Sequence, residues 1–145
     1  MHSSTPRVVS AEPADIPAAV DCVVAAFVDD PLMAYFFPGT VDERSRHCRQ
    51  FMSLLLRVRL ALQMPAMALK NETQTLGLAM GYGTVRHDWP SSLQQEWDMF
   101  VAACPGLAGR FDSYDNISST GTPTVPHYYL GVLAIHPKRH GTGLV

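Results

Sequence analysis

The residues best suited to chemistry close the sequence, as His127-Tyr-Tyr-Leu-Gly-Val-Leu-Ala-Ile-His-Pro-Lys-Arg-His-Gly-Thr-Gly-Leu-Val145. Lys138, Arg139 and His140 stand directly before Gly141-Thr142-Gly143. Glycine lets backbone N–H groups converge on an anion, so a basic turn with paired glycines suits a phosphate cradle. A helix starting there would add the partial positive charge of its N-terminus. Before the turn, His127 to Ile135 is apolar and rich in aromatic and β-branched residues, which predicts a strand buried on both faces. Pro137 stops it, because proline cannot donate to a ladder.

Other chemistries find little support. The six histidines are dispersed, and neither His-Glu-x-x-His nor Cys-x-x-Cys spacing occurs. A Gly-x-Ser-x-Gly elbow is absent. Gly141-Thr142-Gly143 lacks the preceding glycine and following Lys-Ser/Thr of a Walker loop, and a dinucleotide fingerprint needs a third glycine. Cys22, Cys48 and Cys104 are odd in number and far apart, which suggests reduced thiols in a cytoplasmic protein. A net charge of −2 offers no basic excess for nucleic acid. Met1 to Arg7 lacks an apolar signal core, and no apolar stretch is long enough to span a membrane. Neither nucleic acid nor membrane is therefore an expected partner.

The chain is of single-domain length, and its pattern predicts the elements that would position the turn. Arg7 to Ser10 reads as a first strand. Asp15 suits a helix N-cap, and Ile16, Val20, Val23, Val24 and Phe27 repeat at helical spacing. Asp29-Asp30-Pro31 breaks that helix, and Leu32 to Pro38 follows as an apolar, aromatic connection. Thr40 with Glu43 forms a capping box for a second helix reaching about Gln63. Five arginines along it, among them Arg57 and Arg59, suggest a solvated surface. Met67 to Leu69 and Thr75 to Thr84 predict an antiparallel hairpin. Gly77, Gly81 and Gly83 there suggest a bulge or a close backbone approach. Ser92 with Gln95 predicts a third helix, ended by Gly106 or Gly109. Phe111 to Pro126 is polar and is expected to lack regular structure, either mobile or lining a site.

The strand end and turn, Leu133-Ala-Ile-His-Pro-Lys-Arg-His-Gly-Thr-Gly143, resemble the acetyl-CoA-binding motif of the GNAT superfamily of N-acetyltransferases. Leu133, Ile135 and Pro137 match the family's strand end, and Gly141 and Gly143 match its glycines. His140 stands where Gln or Arg is usual, and Val145 where Gly or Ala is usual. Phe27 to Pro38 also resembles the family's connection between its first two helices, which commonly walls the acceptor site. The fold implied is α/β (α+β), a GNAT-like mixed, mostly antiparallel central sheet flanked by helices. An extra helix is inserted before the cofactor strand. The sequence ends where the pyrophosphate helix would begin, so residues 1–145 would be the N-terminal portion of one domain whose C-terminal strands and helices are missing. The apolar strand would then become an edge open to pairing, which admits a homodimer.

The resemblance implies acetyl-CoA as co-substrate and a small-molecule or peptide primary amine as acceptor. Backbone at Leu133, Ala134 and Ile135 would pair with the pantetheine arm. Arg139, His140, Gly141, Thr142 and Gly143 would hold the pyrophosphate. Transfer needs a deprotonated amine, a polarised thioester oxygen and a protonated leaving thiolate. A backbone N–H near the bulge of the cofactor strand usually polarises the oxygen, which points to Leu133 to Ile135. His127 and Tyr129, near the strand start, are the candidate catalytic side chains. A base acting through water from Asp29, Asp30 or Glu96 stays open. The alternative is a non-catalytic or truncated GNAT-like module that binds CoA.

Overall fold

The computed structural model describes residues 5–83, 87–121, 125 and 128–143. The elements in order are β1 (Arg7–Ser10), α1 (Ile16–Phe27), α2 (Pro31–Phe36), α3 (Val41–Ala61), β2 (Ala66–Lys70), β3 (Thr75–Gly83), α4 (Ser91–Ala103), α5 (Leu107–Thr120) and β4 (Tyr128–Ile135). The strands form one sheet in the order β1-β2-β3-β4, and every pairing is antiparallel. Flanked by helices, this is the mixed architecture the sequence implies.

Alternation decides which sheet face carries the core. Ala66, Ala68, Leu78, Met80 and Ala134 are buried together with Val20, Val23 and Val24 of α1 and Met52, Leu54 and Leu56 of α3. Successive strand residues point to opposite faces, so this is one face of the sheet. The capping box at Thr40 forms as expected: Glu43 N–H donates to Thr40 Oγ1 and Thr40 N–H to Glu43 Oε2, both at 3.2 Å. In the β2–β3 turn, Asn71 Oδ1 accepts from the Gln74 and Thr73 amides at 2.7 and 3.0 Å. An Asn side chain standing in for backbone turn geometry replaces the Asn-Gly turn this hairpin lacks.

Several expectations are corrected. Asp15 makes no side-chain cap on α1. Its carboxylate instead accepts from the Glu12 amide at 2.9 Å and pairs with Lys70 Nζ at 2.5 Å. Those bonds, Lys70 first, hold its carboxyl below the ordinary value. The apolar connection after Asp30 is a short helix, α2, because Asp30 Oδ1 caps the Leu32 amide at 2.8 Å and Pro31 suits the first helical turn. The box at Ser92 does not form, since α4 starts at Ser91 behind Pro90. Nor do Gly106 or Gly109 end that helix. It ends at Ala103, and Gly106 at φ +77° opens the next one.

The expected loop from Phe111 is helix α5. Its Ser, Asn, Asp and Gly content is poor for helix formation, so packing supplies the stability. Leu107 is fully buried, and Phe111 and Tyr114 follow at helical spacing against the core. Arg110 Nε donates to Phe36 O at 3.0 Å and Nη2 to Pro105 O at 3.0 Å. Arg59 also departs from the expected solvated face: it is 7% exposed, donates to Leu55 O at 3.3 Å and lies 5.9 Å from the Tyr82 ring centroid.

Candidate active site

β4 lies at the sheet edge beside β3 rather than between strands, and its faces differ. Ala134 is 3% exposed, whereas Leu130 and Leu133 are 58% and 45% exposed. The expectation of burial on both faces is thus overturned among the described residues: helices cover only the Ala134 side. Gly77 allows β3 and β4 to approach. A Cβ there would stand 2.8 Å from Ala134 O and 2.8 Å from Ile135 Cδ1.

The ladder sets the direction of each peptide group on β4. His136 N–H donates to Leu76 O at 2.8 Å. By antiparallel alternation, Ala134 and Val132 direct their N–H and C=O groups at β3, while Leu133 and Ile135 direct theirs at the open edge. The register then slips: Met80 faces Val132 but Gly81 faces Leu130, which leaves Gly131 as an extra residue. This β-bulge bends β4 and takes one peptide out of the ladder. It falls upstream of the Leu133 to Ile135 stretch.

Beyond the strand, the turn is braced by its own side chains. His140 Nε2 lies 2.8 Å from Ile135 O, and His136 Nδ1 accepts from the Lys138 amide at 3.2 Å. Thr142 Oγ1 donates to Arg139 O at 2.6 Å. The amides of His140 and Thr142 point inward, to Pro137 O at 3.2 Å and Arg139 O at 3.3 Å. Gly141 and Gly143 take φ of +76° and +81°, where other residues are strained, and a Cβ on either would meet nothing within 4 Å. The result is an exposed turn whose two left-handed glycines face open space, with Lys138 and Arg139 just before them. The donor set suits an anion.

A cavity of about 450 Å³ adjoins the bulge. Gly131 and Val132 of β4 line it, with Tyr82 of β3 and Met52, Leu55 and Arg59 of α3. Phe27, Asp30, Leu32, Met33 and Phe36 come from α1, α2 and their junction, and Tyr114, Asp115, Ser118 and Ser119 from α5. Such a volume falls in the range of small-molecule sites. The α5 wall is fixed by an aromatic cluster centred on Phe36, whose ring lies 4.8 Å from Phe111, 5.4 Å from Tyr114 and 6.1 Å from Phe51 between centroids. Trp97 stacks on Phe111 at 5.4 Å.

The sequence-named residues separate on this geometry. Leu133, Ala134, Ile135, Arg139, His140, Gly141, Thr142 and Gly143 form one continuous strand end and turn. Tyr129 pairs in backbone register with Tyr82, close to the bulge and the cavity wall. His127 lies outside the described residues. Of the three carboxylates considered as bases, Asp30 lines the cavity. Glu96 pairs instead with Arg57 Nη2 at 2.6 Å in a separate groove between α3 and α4, and that bond holds its carboxyl low. Asp29 does not line the cavity. Sequence reasoning missed Gly131, Tyr82 and Arg59, and it gave Phe111 to Pro126 as either mobile or site-lining without naming Tyr114, Asp115, Ser118 and Ser119, which line the cavity from a helix. The spacing of Leu107, Phe111, Tyr114 and Ser118 was the available signal.

The three cysteines are buried. Burial pushes the Cys22 and Cys48 thiols up to about 11 and raises Cys104 as well, so none is suited to nucleophilic work. Among the described residues, no three His, Cys, Asp or Glu side chains converge as metal ligands. No described helix is long and apolar enough to cross a membrane.

Comparison with known proteins supports the architecture. The crystal structure of histone acetyltransferase HPA2 and related acetyltransferase from Corynebacterium glutamicum superposes with a TM-score of 0.69 at 25% identity, over 96% of this chain and 65% of that one. The C-terminal condensation domain of Ebony, solved in complex with beta-alanyl-dopamine, superposes with a TM-score of 0.52 at 12% identity, over 93% of this chain and 61% of that one. The chain thus spans less than two thirds of the length of either solved structure. No protein-family model and no curated protein matches the sequence. The fold is that of the GNAT acetyltransferases.

Proposed function

We propose that this chain carries the donor and acceptor sites of an acetyl-CoA-dependent N-acetyltransferase acting on a small primary amine. One observation carries the reading. The edge strand that runs into the open glycine turn also bulges at Gly131, and that bulge opens on the cavity. The two sites are therefore joined by a few residues of one strand.

Bound acetyl-CoA would supply an activated thioester carbonyl. The residues present fit it, because the turn offers left-handed glycines with nothing across from them and two basic neighbours. Gly141 and Gly143 would turn their amides to the pyrophosphate, with Lys138 and Arg139 adding charge. Leu133 would offer its edge N–H and C=O groups, and Ile135 its N–H, to the amides of the pantetheine arm, as an added strand would. Gly131, freed from the ladder, would direct its peptide N–H at the thioester oxygen.

Asp30 would receive the amine proton through water, held in place by its bond to the Leu32 amide. His127, outside the described residues, and Tyr129 of β4 remain the proposed residues for turnover. Phe36, Met33 and Leu55 would exclude bulk water from the reacting atoms.

The test is a thiol-release assay with acetyl-CoA and a panel of primary amines, with product mass measured in parallel. Amine-dependent release and an acetylated product are expected, and Asp30→Asn should slow release. If no amine supports release and calorimetry detects no acetyl-CoA binding, the reading fails.

A further inference from the structure

Resting on that reading, we propose that Arg110 is a specificity-determining positioning residue: it holds shut an aromatic partition that confines the acceptor to the cavity at the bulge. A second cavity, of about 340 Å³, is lined from α2, α3, α4 and α5. It shares Phe36, Phe51, Tyr114 and Asp115 with the first and adds Trp97 and Val101 of α4. The three shared rings therefore stand between the two spaces. They meet edge to face, with Phe36 at 6.1 Å from Phe51 and 5.4 Å from Tyr114 between ring centroids.

Phe36 belongs to a helix of only 6 residues, so its ring is held in place by what holds the backbone behind it. Arg110 Nε donates to Phe36 O and its Nη2 to Pro105 O, each at 3.0 Å. One guanidinium thus ties the C-terminal end of α2 to the α4–α5 turn and to α5 itself, where Tyr114 follows one turn after Arg110. Arginine suits carbonyls at a helix C-terminus, and its planar fork serves two of them at once. The turn is shaped to admit it: Gly106 sits at φ +77°, and a Cβ there would stand 2.7 Å from Arg110 Nη1. Arg44 Nε adds a longer bond from α3, 3.3 Å to Phe37 O. Phe36 is 3% exposed and close-packed, so opening the partition requires α2 and α5 to separate, which these bonds oppose. With the partition shut, an acceptor ends at the three rings. With it open, a longer acceptor extends into the second cavity.

Affinity is measured by calorimetry on the protein without cofactor, so that it does not depend on turnover. The probes are benzylamine and 4-phenylbenzylamine, which differ by one ring. The parent should bind the two within about threefold of each other, because the added ring meets a closed, well-packed partition. Arg110→Met keeps the apolar stem and removes the donors. It should shift the ratio about tenfold toward 4-phenylbenzylamine, as partial burial of one more aromatic ring would give. Arg110→Lys, a single point donor, should shift it less. Gly106→Ala displaces the guanidinium without altering Arg110 and should shift the ratio in the same direction. Thermal melting of each variant separates this from loss of fold, since general destabilisation weakens both amines alike. A parent that already binds 4-phenylbenzylamine about tenfold tighter, a parent that binds neither amine, or a ratio unmoved in both Arg110→Met and Gly106→Ala would overturn the proposal. If no amine supports acetyl release by the parent, the transferase reading fails, while the affinity ratio still decides the role of Arg110.

Discussion

The glycine turn and the cavity beside the bulge are built in opposite ways. The turn is contiguous: residues 133–143 supply its strand end, its bracing side chains and its open glycines. The cavity is assembled from α1, α2, α3, β3, α5 and β4, whose lining residues run from Phe27 to Val132. The turn is held by short-range hydrogen bonds such as His140 to Ile135 and Thr142 to Arg139. The cavity is held by aromatic packing around Phe36. A local device survives or fails on a few dihedral angles, whereas an assembled one fails when any supporting element shifts.

The largest expected effect breaks the cavity alone. Phe36 is 3% exposed and contacts Phe37, Phe51, Phe111 and Tyr114. Phe36→Ala should cost about 3–5 kcal/mol in denaturant unfolding. It should also release the α5 wall, seen as faster amide exchange over residues 107–120. Exchange in the turn should change little; equal loosening of both regions would mean they are not independent.

The converse change strikes the turn. Gly141→Val places a β-branched residue at φ +76°, which costs roughly 1–2 kcal/mol of backbone strain. Acetyl-CoA affinity by calorimetry should fall by about tenfold or more as the cradle distorts, while amide exchange over residues 107–120 should hold. Unchanged acetyl-CoA affinity would remove the turn from the donor site.

Gly77 joins the two regions, because it sets the β3–β4 approach that both share. Gly77→Ala would need its Cβ neighbours, Ala134 O among them, to shift from 2.8 Å. A cost of roughly 1–3 kcal/mol is expected, with loss of both acetyl-CoA affinity and amide protection over residues 107–120. Loss of only one would show that the register on either side of Gly131 is set separately.

The smallest effect is a control at the far side of the sheet. Lys70 holds the Asp15 carboxyl below its ordinary value of 3.8. A depressed folded-state pKa gives stability that is fully present above the ordinary value and is lost as pH falls through the folded one. Urea midpoints should therefore drop more steeply below about pH 4 in the parent than in Asp15→Asn, with both binding sites unaffected near neutrality. Parallel curves would deny the Lys70 bond any role in stability.

How much was legible follows the same division. The Thr40 capping box, the β2–β3 hairpin and the break at Pro31 were readable because each depends on a few adjacent residues. So was the motif from Leu133 to Gly143. Helix α5 was not readable from composition, because Ser113, Asn116, Ser118 and Ser119 favour turns until Leu107, Phe111 and Tyr114 find the core. Arg59 reads as one more surface arginine until the Tyr82 ring meets it from another element.

Sequence alone settled the local chemistry: where glycines permit left-handed backbone, where proline ends a strand, and which face of α1 is apolar. Those properties depend on dihedral preference and periodicity, which adjacent residues carry. Tertiary structure alone decided that the register of β4 slips at Gly131, and that Asp30 and Asp115 share a cavity while Glu96 does not. These depend on which neighbours a strand or helix acquires, and residues distant in sequence meet only when the hydrophobic core brings their elements together.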